Sequence, residues 1–203
     1  MKIGSLYSGI GGADAGFAAA GWDVVYHAES DPFRRAVLSQ HWPTIERRES
    51  IADAVHLQTW ADVCYAEIPD RDIQKWWPAI WATVKATSPI WCVVECSPAV
   101  PIERIVRDLA LADWSFRIVQ AGVLVKTVSL PRDEWHTRQR LVIIASRTTA
   151  LVYALGFRGY NAMLEIDVGA IDAPIDSLAF SEASIGLPYG WSCGCGQTSC
   201  VCD

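Results

Sequence analysis

The chain reads as an α/β domain with a mostly parallel sheet and helices on both faces, and three observations predict this. Apolar segments of strand length alternate with helix-like segments from the start of the chain to residue 147. A glycine-rich stretch, "SLYSGIGGADAGF" at residues 5 to 17, joins the first apolar segment to the first helical one. The composition, 51% hydrophobic and 20% charged over 203 residues, suits one domain with a full-sized core and argues against global disorder.

Each element has its own signal. "KIGSLY" is a first strand, and "ADAGFAAAG" is a helix closed by Gly21. "DVVYHAES" is a second strand; "DPFRRAVLSQHW" follows as a helix, with Asp31 as cap and Pro32 in its first turn. "ADVCYAEIP" is a strand, and "DIQKWWPAIWATVKA" is a helix expected to be interrupted at Pro78. "PIWCVVEC" is a continuous apolar run of the buried-strand kind, "IERIVRDLALADW" is helical, and "FRIVQAGVLV" and "RQRLVIIAS" are two late strands. Past residue 148 the pattern weakens to a loose segment and a short helix in "SLAFSEASIGLPYGW". The expected organisation is therefore a ligand-binding domain over 1–147 and a reduced C-terminal extension over 148–203. There is no internal repeat and no low-complexity tract.

A net charge of -6 excludes a broad basic face, so contact with nucleic acid would rest on a few placed arginines. No apolar run is long enough to span a membrane, and "MKIGSLYSG" lacks a signal-peptide pattern; a cytoplasmic protein with no membrane partner is expected. Most of the ten tryptophans should be core. Of seven cysteines, Cys64, Cys92 and Cys96 sit in or beside apolar runs as buried thiols, and four crowd the last eleven residues.

The loop Tyr7-Ser8-Gly9-Ile10-Gly11-Gly12 lies between strand and helix, where glycine lets a ligand approach the backbone and the helix N-terminus. Glu29, 20 residues after Gly9 in "AESDP", ends the second strand, and a carboxylate there suits the paired hydroxyls of a ribose. An adenosine-containing ligand follows from the pair. A nicotinamide dinucleotide is the alternative, but its G-x-G-x-x-G fingerprint differs from the G-x-G-G-x-x-x-G found here.

Taken as a whole, "SLYSGIGGADAGFAAAGWDVVYHAESDPF" resembles the opening of the DNA cytosine-5 methyltransferases, with Tyr7, Gly9, Gly11, Gly12, Glu29, Asp31 and Pro32 matching. The resemblance implies a Rossmann-like class I methyltransferase fold that binds S-adenosylmethionine, with Glu29 on the ribose and Tyr7, Ser8 and the loop glycines beside the methionine moiety. "PIWCVVEC" looks like that family's strand ending in Glu-Asn-Val, whose glutamate grips the target cytosine at N3; Glu95 occupies that place. "HTRQRLVIIAS" is similar to the Gln-x-Arg-x-Arg strand, with Arg138 and Arg140 matching and His136 replacing the glutamine. "SIGLPYGW" is similar to a C-terminal stretch of the family. The implied substrate is DNA or another cytosine-containing molecule.

The departures bear on chemistry. The family's Pro-Cys-Gln is matched at Pro69, but Asp70 stands at the cysteine and Arg71 at the glutamine. The long loop that follows is nearly gone, and Ser50 stands where the family carries its cofactor-proximal acid. No recognition domain fits between Ser146 and Ile185, and the final family helix is absent, so a second copy or a partner methyltransferase is expected to complete the cofactor pocket. C5 of cytosine is a poor nucleophile until a thiolate adds at C6, a task a carboxylate at Asp70 performs poorly. Cys96, directly after Glu95, is the substitute nucleophile within reach of the sequence, although neighbours in a strand point to opposite faces and a buried small hydrophobe is the alternative reading.

The tail "CGCGQTSCVC" places Cys193, Cys195, Cys200 and Cys202 as C-x-C-x4-C-x-C. Four such thiols could close a tetrahedral zinc site; a reduced tail, or disulfides in an oxidising compartment, are the alternatives. Two functions stand side by side. One is a cytosine-modifying enzyme with an altered catalytic step. The other is a non-catalytic partner or decoy that binds cofactor, nucleic acid or an active methyltransferase.

Overall fold

A computed structural model describes residues 1–56, 59–69, 72–127, 134–148 and 163–167, without the side chains of 121–138 and 163–167. Five strands come first: β1 (Lys2–Leu6), β2 (Asp23–Ala28), β3 (Glu46–Arg48), β4 (Val63–Glu67) and β5 (Trp91–Cys96). They alternate with α1 (Gly12–Ala19), α2 (Pro32–His41), a 3-10 turn (Ala52–His56) and α3 (Ile73–Thr87). After α4 (Glu103–Leu111) come the long strands β6 (Ser115–Thr127) and β7 (Glu134–Ser146), and then β8 (Met163–Asp167).

One eight-stranded sheet runs β3-β2-β1-β4-β5-β7-β6-β8. Strands β1 to β5 are mutually parallel, and β7 enters antiparallel to both β5 and β6. This is the Rossmann-like class I methyltransferase fold that the sequence implies. The strand order turns around between β1 and β4, and the diverging connections leave a crevice at their carboxyl ends.

Alternation along each strand divides the core. Leu6, Tyr26, Ala28, Ala66, Cys92, Val94 and Cys96 pack with Trp77 and Ile80 of α3 and Ile105 and Leu109 of α4. Ile3, Val24, Val63, Tyr65 and Trp91 form the opposite face with Phe17 of α1, Trp22 and Trp42. At Gly4 an added Cβ would meet the Tyr26 ring within 1.8 Å, so the missing side chain makes room for that ring.

Two helix termini follow the sequence closely. Asp31 accepts from the Arg34 N–H at 2.9 Å with Pro32 behind it, and Asp72 accepts from the Lys75 N–H at 3.2 Å to start α3. The expected interruption at Pro78 does not occur: α3 continues through it to Thr87. Proline inside a helix costs roughly 3 kcal/mol, and the buried Trp77, Ile80, Thr83 and Val84 offset it. The alternation in sequence names six strands, whereas the sheet has eight. The short β3 reads Glu46-Arg47-Arg48 and has no apolar signal; it forms because its backbone pairs with β2. Strand β8 falls in the expected extension and pairs parallel to β6. The "SLAFSEASIGLPYGW" helix lies outside the described residues. Among those described, no helix is long and apolar enough to cross a membrane.

Candidate cofactor and base site

The glycine loop leaves β1 at the crevice. Tyr7, Gly9 and Gly11 take positive φ values of 54°, 58° and 90°. Gly11 donates to the Ser8 carbonyl at 3.0 Å, and the Ser8 hydroxyl donates to the Ser5 carbonyl at 3.0 Å. The two loop glycines differ in purpose. A Cβ on Gly9 would meet nothing within 4 Å, whereas one on Gly11 would strike Trp42 at 2.6 Å. Gly9 is therefore the open side of the cradle, and Gly11 is needed for packing.

Glu29 follows β2 and is 3% exposed. One carboxylate oxygen accepts the Gly9 N–H at 2.8 Å and the other accepts the Asp31 N–H at 2.9 Å. Each oxygen keeps a second lone pair. The Glu29 N–H reaches the Arg48 carbonyl at 3.1 Å, and Arg35 donates to the carbonyls of Glu29 and Ser30 at 3.2 and 2.6 Å. Burial, with the Glu29 carboxylate second, pushes the Tyr7 phenol up to about 12, so it stays a neutral donor. The Tyr7 ring rests edge-on to Trp76, centroids 5.0 Å apart. Thus Tyr7, Ser8, Gly9, Gly11, Gly12 and Glu29 converge. An open glycine, a buried carboxylate with spare acceptor capacity and a helix N-terminus suit an adenosine-bearing ligand. Ser50 lies past β3, where its hydroxyl accepts the Ala52 N–H at 3.1 Å to start the 3-10 turn.

A second cluster stands at the carboxyl ends of β4 and β5. Glu95 accepts from the Tyr65 hydroxyl at 2.8 Å on one oxygen and from Arg140 Nε at 3.0 Å on the other. Glu67 is the register partner of Glu95 across β4 and β5, and its carboxylate lies 3.8 Å from Arg140 Nη2. Burial, followed by the charges of Glu95 and Glu67, pushes the Tyr65 phenol well up and keeps its proton for donation. Glu95 and Arg140, expected as site residues, are joined directly. Arg138 is placed by backbone in β7 opposite Val123, and its side chain lies outside the described residues.

Cys96 does not join this cluster. Strand β5 runs through it, so its side chain turns to the α3 and α4 face, where it is 1% exposed. Burial, with Glu95 second and Arg140 opposing, raises the thiol to about 11. Asp70 lies outside the described residues, as do Cys193, Cys195, Cys200 and Cys202. Among the described residues no group of three or more His, Cys, Asp or Glu could hold a metal, so nothing there supports the expected zinc.

Sequence reading alone misses Tyr65, Glu67 and a buried pair on the α1 side, Asp14 and His27, 3.4 Å apart. Glu67 carries the same signal that marks Glu95, an acid closing an apolar run. Tyr65 carries none.

Among the described residues, the sheet order and the antiparallel β7 are those of the Rossmann-like class I methyltransferase fold. No family model matches the chain. It is 26% identical to the type II methyltransferase M2.BsuMI of Bacillus subtilis, over 72% of this chain and 42% of that one. The fold is similar to a DNA modification methyltransferase encoded in an Escherichia coli prophage, with a TM-score of 0.58, 17% identity and coverage of 85% and 56% of the two chains. It is similar to Dnmt2 of Spodoptera frugiperda at 0.55 and 14%, covering 86% and 60%. A precorrin-6y methyltransferase of Geobacter metallireducens also scores 0.55, at 11% and covering 72% and 80%, so the fold by itself does not select a substrate. The chain spans less than half the length of the curated relative it matches.

Proposed function

We propose that the protein binds S-adenosylmethionine at the Tyr7–Gly12 loop and Glu29, and presents it to a cytosine held by Glu95 and Arg140. The observation that carries this reading is Glu29: a carboxylate 3% exposed, held by two backbone N–H groups, one of them that of Gly9 in the loop leaving β1. Its spare lone pairs suit two ribose hydroxyls. The bound cofactor would supply a methyl group on a sulfonium. The protein's part is to orient it, through Glu29 and the loop amides, and to place the base beside it.

The Cys-dependent route to C5 is the step we take to be lost or altered. Asp70 stands at the nucleophile position, and a thiol at about 11 on the far face of β5 is a poor replacement. Isothermal titration of the full chain with S-adenosylmethionine, S-adenosylhomocysteine and NAD tests the cofactor reading. Binding of either adenosyl ligand and not of NAD is expected; NAD alone would overturn it. A DNA duplex carrying 5-fluorocytosine tests the second half, and no covalent adduct is expected.

The same two cysteine observations favour a second reading, a non-catalytic partner that binds cofactor and nucleic acid. Nucleoside mass spectrometry of cells with and without the protein separates the two, since a partner protein leaves no modified base of its own. Light scattering with and without cofactor tests whether a second copy or an active methyltransferase joins the site.

A further inference from the structure

We infer that Asp14 and His27 are positioning residues for the cofactor: their buried pair anchors α1 to β2 and so sets the opening between the glycine loop and Glu29. The inference rests on the cofactor reading above and names what holds that site in shape.

The glycine loop and α1 form one unit, and the β2 segment holds that unit at two points. Glu29 accepts the Gly9 N–H at 2.8 Å. Two residues earlier, in β2, His27 faces Asp14 of α1, with Nε2 3.4 Å from Oδ2. The first contact fixes the start of the loop, and the second fixes the first turn of the helix.

The helix has little else to hold it. A helix N-terminus kept open for a ligand cannot spend its amides on a capping side chain. The N-cap of α1 is Gly11, at a φ of 90°, and it has no side-chain cap. Apolar packing adds little. Asp14 is the one buried residue of α1, while Ala13 and Phe17 are partly covered. The helix is thus attached to the sheet through a carboxylate, at a place where an apolar side chain would be ordinary.

A polar pair in such a place is costly. Asp14 is 0% and His27 1% exposed, and among the described residues neither Asp14 oxygen nor either His27 nitrogen makes a hydrogen bond. Replacing a buried acid–base pair by apolar residues often leaves a protein as stable as before, so stability does not account for this one. What the pair supplies is a specific mate for one helix at one position on the strand. Its neighbours carry that placement into the loop. The His27 ring stands edge-on to Trp42, centroids 5.2 Å apart, and Trp42 lies under Gly11, where an added Cβ would come within 2.6 Å. Gly11, Trp42, His27 and Asp14 therefore close a ring that begins and ends in the unit carrying Gly9.

The test uses the full chain and two independent readouts: hydrogen exchange of the Gly9 and Asp31 amides without ligand, and calorimetric titration with S-adenosylhomocysteine. Asp14→Val and His27→Leu, made together, should leave the melting temperature within a few degrees of the parent. The Gly9 and Asp31 amides should nonetheless exchange about tenfold or more faster, with those of β4 and β5 unchanged, and S-adenosylhomocysteine should bind roughly tenfold or more weakly. If that double variant does not fold, Asp14→Asn, which keeps the shape and removes the charge, should show both shifts, read against the same β4 and β5 amides. An unchanged Gly9 rate, or an unchanged affinity, overturns the inference. A uniform rise in exchange across every strand also overturns it, since the pair would then be structural alone. Faster Gly9 exchange in variants of a parent chain that binds no adenosyl ligand supports the anchor and overturns the proposed function instead.

Discussion

At the scale of single residues, two glycines that the sequence alone would treat alike have opposite surroundings. Gly9 faces open space and Gly11 faces Trp42 and Leu38. Gly11→Val should therefore disturb the packing of α2 as well as ligand binding, and a lowered melting temperature checks this. Glu29→Ala removes the acceptor for both backbone amides and the expected ribose hydroxyls. It should weaken S-adenosylmethionine by roughly 10- to 100-fold, on about 1.5–3 kcal/mol for bonds to a charged group, as measured by calorimetry. The buried thiols give a third test. Burial raises Cys64 to about 12 and Cys96 to about 11, and raises Cys92 well above the usual value. In native protein near pH 7.5, peptide-resolved alkylation should leave these three unmodified, because the reactive thiolate is absent and access is closed.

Elements add what no residue supplies alone. The helix α3 keeps a proline within it because Trp77 fills the core and its indole N–H donates to Asp108 on α4 at 2.9 Å. Trp77 also stacks on Trp81, centroids 5.5 Å apart. Trp77→Ala should cost about 3–5 kcal/mol in urea unfolding, and Trp77→Phe, which keeps the ring but loses the hydrogen bond, distinctly less. Strand β5 shows how an element decides chemistry. Since it continues through Cys96, Glu95 and Cys96 cannot serve one base, and the alternation of a strand turns one to the Tyr65–Arg140 cluster and the other to the core.

For the whole molecule, ligand and proton linkage give one prediction each. A ligand that binds only the folded chain stabilises it by about 2.7 kcal/mol at a concentration 100 times its dissociation constant, so S-adenosylmethionine should raise the melting temperature where NAD does not. The buried thiols of Cys64, Cys92 and Cys96 have raised values in the folded state. Their contribution is complete below the unfolded thiol value of about 9 and is lost as pH rises toward 11 and 12, because the unfolded chain then holds fewer protons. Denaturant midpoints should accordingly fall above about pH 9. Replacing Cys64 by Ala should lessen the slope.

How much was legible in the sequence follows from how far apart the interacting residues lie. The glycine loop, Glu29 and the Asp31-Pro32 helix start are local patterns, and the backbone conformation each demands is set by residues within a few positions. The alternation of apolar runs likewise determined the class of fold, because burying both faces of a parallel sheet needs continuous apolar strands. Tertiary structure decided the rest. Tyr65 meets Glu95 across 30 positions and Arg140 meets it across 45, contacts that exist only once β4, β5 and β7 share a sheet. Strand β3 carries no apolar signal, so only backbone pairing with a neighbour makes it a strand. Periodicity and turn chemistry are written in neighbouring residues, whereas register is fixed by the packing of the whole sheet.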